Sequence, residues 1–175
     1  MLRGLINVTF VYVPREDRIM TAINAGRPDA WSCWLTRRLS LAVLERTASY
    51  LASKSDLAQR APADFRSEAV AFEREAAIAK TVGAMSMTPP AVLQSSASGA
   101  ELAERLTISQ QGASFRLELR GLSEEGATGL VKRDELQRLL QMLQVEVGNA
   151  GWLVVPGQPQ AAPPPAAADP KPFRN

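Results

Sequence analysis

The stretch WSCWLTRRLSLAVL, residues 31–44, changes its period in the middle, and the fold turns on where it does so. Up to Leu35 the residues alternate as in a strand. Trp31, Cys33 and Leu35 share one face, and Ser32 and Trp34 share the other. From Thr36 onward the spacing is helical. Leu39, Val43 and Tyr50 fall near one face, and Leu41, Leu44, Ala48 and Leu51 widen the stripe. The sequence predicts a short strand over 30–35, then a helix over 37–55 with Thr36 as its N-cap.

The same corner occurs again as GLVKRDELQRLL, residues 129–140. A strand over 126–132 leads into a helix whose stripe is Leu136, Leu139, Leu140, Leu143 and Val147. Asp134 is the expected N-cap, and Gly148 or Gly151 the expected stop. Each corner carries a basic pair, Arg37-Arg38 in the first and Lys132-Arg133 in the second.

Working outward, LINVTFVYV (5–13) and RIMTAINAG (18–26) read as strands, with Pro14 and the GRPD run at 26–29 as breaks. RLTISQ (105–110) and SFRLELRG (114–121) read as a strand pair around Gln111-Gly112. In the second of these, Phe115, Leu117 and Leu119 alternate with Arg116, Glu118 and Arg120, so one face is buried and one wet. Between the halves lies an Ala-rich helix over 63–84, with Phe65, Ala69, Phe72, Ala76 and Ala79 on one stripe and Gly83 and Pro89-Pro90 ending it. A loop covers 95–101, and WLVVP (152–156) reads as a short final strand.

The expected fold class is α+β: antiparallel sheet covered by helices, with a strand-strand-strand-helix unit used twice, over 5–55 and 102–150. One domain spans 1–156, and 157–175 reads as a disordered Pro/Ala-rich tail. Within it, Lys171-Pro172-Phe173-Arg174 is a candidate docking peptide.

Composition removes much chemistry. The 175 residues contain no histidine, which excludes Ser-His-Asp and Cys-His catalysis and histidine-based zinc sites. One cysteine, Cys33, precludes an internal disulfide and a thiolate metal cluster. No phosphate-binding glycine loop is present. No apolar run reaches the ~18–20 residues of a membrane helix, and the first residues do not read as a signal peptide. A cytoplasmic protein with no cofactor, no metal and no membrane contact is therefore expected. Glu73 and Glu75 point apart on their helix, and Glu124-Glu125 sit in a turn, so neither pair reads as an acid/base set. Cys33 reads as a small buried hydrophobe rather than a nucleophile.

The basic pair after Thr36 is the feature left over. At the first turn of a helix each arginine opposes the macrodipole, at a cost of about 0.3–1 kcal/mol. Either carboxylates cover them, Glu73 or Glu75 being the candidates, or they serve an anionic group on a partner. Trp34, beside them, is the candidate aromatic anchor. The candidate partner-binding set is thus Trp34, Thr36, Arg37, Arg38, Arg116, Arg120, Lys132 and Arg133.

The W-L-T-R-R box (34–38), the segment AFEREAAIAK (71–80) and the terminal Leu-rich helix ending at A-G-W (150–152) together resemble boxes in uncharacterised bacterial proteins. That resemblance implies no activity. The expected function is a non-catalytic interaction or assembly subunit, oligomeric or part of a larger complex. A single-stranded nucleic-acid binder of Whirly- or PUR-like outline is the alternative, with Arg116 and Arg120 tracking phosphates. A net charge of only +2 and 6% aromatics weigh against it. A histidine-independent enzyme comes third.

Overall fold

The strand-to-helix change at Thr36 is where the chain turns. Strand β4 (Trp31–Leu35) ends there and helix α1 (Arg37–Ser53) begins, with the Thr36 hydroxyl accepting from the Leu39 amide at 3.3 Å. The computed structural model describes residues 1–81 and 99–153. The Gly83 and Pro89-Pro90 breaks, residues 95–98 of the expected loop, the end of the 152–156 segment and the 157–175 tail lie outside the described residues.

The other strands are β1 (Leu2–Gly4), β2 (Val8–Val13), β3 (Arg18–Ile23), β5 (Glu101–Gln111), β6 (Ser114–Gly121) and β7 (Gly126–Lys132). The other helices are α2 (Asp56–Arg60), α3 (Arg66–Thr81) and α4 (Arg133–Asn149). One seven-stranded sheet runs in the order β1-β7-β6-β5-β4-β3-β2. It is mixed rather than antiparallel: β4 pairs with β5 and β1 with β7 in parallel. Each half still contains a three-strand antiparallel meander followed by a helix.

The sheet is curled. Laid flat, its outermost strands would be roughly 29 Å apart at the usual spacing. Yet β1 and β2, at opposite ends of the order, are joined through residues 5–7 alone, a reach of at most ~14 Å. Helix α4 fills the concave side, touching β2 from one end and β7 and β6 from the other. Leu136, Leu143 and Val147 are fully enclosed there, as the stripe predicts. Gly129 of β7 sits against Leu5, where a Cβ would come within 2.6 Å of the Leu5 Cβ.

Asn24 clasps the two ends together. Its side-chain oxygen accepts from the Ile6 and Asn7 amides at 3.0 and 3.2 Å, and its amide nitrogen donates to the Gly4 carbonyl and Asp29 carboxylate, both at 2.7 Å. Its backbone is left-handed, with φ of 52°, a conformation that asparagine tolerates better than most residues.

Helix α4 starts one residue before the expected Asp134 cap. Lys132 is the N-cap, and its amide donates to Glu135 at 2.7 Å. Gly151 is the stop: at φ 66° it lets the Trp152 amide reach the Val147 carbonyl and its own amide reach Gly148, a Schellman turn. Trp152 then packs edge-on to Tyr12 at 5.7 Å and donates its indole N–H to Asp17 at 3.1 Å. At residues 152–153 the chain forms no strand.

Two helix faces differ from the sequence reading. On α3 the contact side facing α4 holds buried Ala77 and the polar pair Glu73 and Arg74; Arg74 donates to Gln141 and Gln144 of α4. Phe65 and Phe72, expected on the seam, point to solvent. On α1 the most buried positions are Ser40, Thr47 and Leu51, while Ala48 is exposed. Small side chains there let α1 and α4 approach closely. The Ser40 hydroxyl is fully buried and has no hydrogen-bond partner among the described residues. Ser40→Ala therefore removes an unsatisfied group and improves helix propensity, so it raises stability by about 1 kcal/mol in urea unfolding.

Candidate interaction surface

The first corner presents its basic pair to solvent. Arg37 and Arg38 are exposed, the first turn of α1 has no acidic residue, and neither arginine has a carboxylate partner among the described residues. The expected cover is engaged elsewhere: Glu73 pairs with Arg133 at 3.0 Å. The arginine doublet thus carries its opposition to the helix dipole without internal compensation.

The second corner uses its arginine internally. Arg133 is half-buried and donates to the Leu51 and Lys54 carbonyls at 2.6 and 3.1 Å, closing the C-terminal end of α1. This is a structural role, and it separates Arg133 from any partner surface. Lys132 is exposed one residue earlier, on the wet face beside Ser114.

The wet face of β6 is largely self-neutralised. Arg120 binds Glu118 at 2.6 Å and Glu124 at 3.0 Å. Arg116 is exposed and reaches the Gln111 side chain at 3.5 Å. Phe115, the aromatic of this strand, faces the core, so the surface around Arg116 offers no stacking ring from β6.

The two tryptophans divide as their parity requires. Trp31 is buried and donates its indole N–H to Glu101 at 3.0 Å. Trp34 is half-buried on the outer face, opposite Met20 of β3 and Leu102 of β5. Cys33 lies between them in the core, where burial pushes its thiol far above its ordinary range, so no thiolate is available.

Glu101 is the best-satisfied acid in the described chain. Besides Trp31 it accepts from the Ser123 amide and hydroxyl, both at 2.8 Å, and its side chain lies over Gly121, where a Cβ would meet it at 2.2 Å. Burial opposes its ionisation. The Ser123 and Trp31 hydrogen bonds and the nearby Arg3 outweigh burial and hold the carboxyl below its ordinary 4.5. A depressed carboxyl adds stability above its unfolded-state value and loses it as pH falls through the folded one. Denaturant unfolding from pH about 3 to 6 is expected to show stability declining below about 4.5, and Glu101→Gln to flatten that decline.

A groove runs between α1 and β5, and the sequence reading missed it. It encloses about 310 Å³ and is lined by Leu39, Ala42, Val43, Arg46, Thr47 and Tyr50 from the helix and by Leu106 and Ile108 from the strand. Its origin is a length mismatch. β5 spans eleven residues, but β4 pairs with it only at Glu101 and Leu102. A bulge between Ala103 and Arg105 then shifts the register, and β4 has already turned into α1. Arg46 is the one charged residue in the lining. Arg38, Ala42 and Arg46 lie four residues apart, so one helix row carries the basic corner into the groove.

Comparison of the chain with protein-family models, curated proteins and solved structures gave no match. The reading of the site rests on its own geometry. Arg37 and Arg38 join Arg46 along α1, while Arg133 and Arg120 are committed within the fold and Trp34 stands apart on the outer face. Among the described residues no group of three or more Cys, Asp or Glu is placed to hold a metal, and no helix is long and apolar enough to cross a membrane.

Proposed function

We propose that this chain is a non-catalytic interaction subunit that docks a protein partner in the groove between α1 and β5. The observation that carries this reading is the pairing of an apolar lining with arginines left without internal carboxylates. Exposed guanidiniums beside an apolar trough supply steering and anchoring together. The ionisable groups best placed for chemistry, Glu101 and Cys33, are respectively saturated with hydrogen bonds and buried, which supports binding over catalysis.

The two halves also read as one strand-strand-strand-helix unit used twice. The parallel β4–β5 pairing sets both units in the same direction, and both enter their helix through a basic pair. On this reading the second pair became part of the scaffold and the first stayed free for a partner.

A photo-crosslinking residue at Ala42, in the groove lining, tests the docking surface in the source cell. A discrete adduct is expected from Ala42 and not from exposed Ala48, which does not line the groove. No adduct from Ala42, or equal adducts from both positions, overturns the reading.

A further inference from the structure

The geometry points to a binding mode for this groove, on the reading that it docks a protein: it takes an extended, alternating acidic and apolar peptide, added as a strand to the free edge of β5. The edge is identified by which groups are already used. The Gln110 amide donates to the Tyr50 hydroxyl at 3.1 Å and so points away from β6. Side-to-side direction alternates along a strand, so Leu106 and Ile108 turn their N–H and C=O groups the same way, toward the groove. The intervening Thr107, Ser109 and Gln111 face β6 instead, consistent with the tight Gln111–Ser114 hairpin and its left-handed Gly112. No backbone or side-chain group among the described residues pairs with the edge groups of Leu106 or Ile108.

Native sheets ordinarily blunt such an edge. The β2 end of this sheet does so: the Tyr12 amide is capped by Glu146 at 2.8 Å. Among the described residues the β5 edge is capped only at Gln110, and none of them fills the lane beside Arg105–Ile108 where β4 has turned away. An incoming strand would therefore continue the sheet in the position that β4 vacates. Every second side chain would enter the lining of Leu39, Val43, Leu106 and Ile108. The alternate side chains would lie beside Arg105, exposed on the outer face of β5 and without a carboxylate partner among the described residues.

Charge chooses the occupant. Arg46 lines the groove, Arg38 stands on the same row of α1 and exposed Arg105 lies on β5 itself, so an acidic peptide complements the lane. A second copy of the chain would bring the same arginines against each other. The chain's own residues 154–175 are a poor strand, with seven prolines and two basic residues against one acidic.

The test uses the full chain and fluorescein-labelled seven-residue probes: alternating Glu/Val, alternating Lys/Val, and Glu/Val N-methylated at the amides that would face β5. Anisotropy is expected to show the Glu/Val probe binding at least about tenfold tighter than the other two. Arg46→Glu is expected to reverse the Glu/Lys preference, and Ala42→Trp, which fills the lining without a charge change, to abolish binding. In the complex the amides of Leu106 and Ile108 are expected to exchange hydrogen at least about tenfold more slowly. Indifference to N-methylation, binding without protection of those two amides, or no binding at about 1 mM overturns strand addition. A persisting Ala42 photo-adduct in that event leaves the docking surface standing and removes only the strand mode; loss of the adduct removes both.

Discussion

Asn24→Ala lowers the free energy of unfolding by about 3–5 kcal/mol. The side chain makes four hydrogen bonds and is fully buried. Its loss leaves the Ile6 and Asn7 amides, the Gly4 carbonyl and Asp29 without their partner, each worth about 1 kcal/mol or more where water cannot replace it. Ile6 and Asn7 are themselves exposed, which limits the total, because water reaches part of that turn. Alanine adds about 1 kcal/mol for its left-handed backbone. Asn24→Gly isolates that backbone contribution and is expected to be less damaging than alanine by about that amount. Asn24→Asp keeps the acceptor but places a second carboxylate at Asp29, so its defect grows as pH rises through the carboxylate range. Urea unfolding of the three variants at neutral and acid pH checks all of this. A change under about 1 kcal/mol for Asn24→Ala would show that the β1–β2 corner holds without its clasp.

Leu143→Ala is expected to cost about 3–4 kcal/mol. Leu143 lies on α4 inside the curl, within a cluster that includes Ile23, Trp31, Leu35, Leu119 and Val147. A pocket of about 60 Å³, lined by apolar side chains and Thr21, already adjoins it between the helix and the sheet. Deleting the side chain extends that pocket rather than creating an isolated one. The enclosing strands are tied in both directions around the helix, so they cannot collapse inward to fill it. Leu143→Met keeps most of the volume and is expected to cost under about 1.5 kcal/mol. Thermal and urea unfolding distinguish the two; equal losses would mean that α4 can shift within the sheet.

Much of the fold is written locally. The clean alternation in β6 and the period change at Thr36 each follow from a few neighbouring residues, and both elements stand where the sequence places them. The misreadings share one cause: the deciding partner is far away in the chain. β1 is three residues, Leu2–Gly4, and is a strand only because β7 receives it. β5 starts at Glu101 rather than 105 because β4 pairs with its first residues. Helix α2 did carry a local sign, the capping residue Ser55 that accepts from the Ala58 amide, but the helix itself falls in the gap left between the two expected helices. On α3 the apolar stripe gave the wrong face because Glu73 and Arg74 find polar partners on α4.

The site was legible by half. Arg37 and Arg38 announce themselves through their conflict with the helix dipole, and they are exposed without a carboxylate among the described residues. Arg133 sits in the same motif and is consumed by α1, which no single corner could reveal. The groove needed two distant segments, Leu39–Tyr50 and Leu106–Ile108, and the strand lengths that open it, five residues in β4 against eleven in β5, emerge only once the sheet is paired.

The meeting of Leu2–Gly4 with Gly126–Thr128 fixes an order of events as well as a shape. Once translated, Leu2–Gly4 have no strand to zip onto until the chain has grown by more than a hundred further residues. At ordinary elongation speeds of ~5–20 residues per second, that is a delay of several seconds. Until then Leu2–Gly4 stay unpaired, so the curl of the sheet is sealed only after β7 has been made.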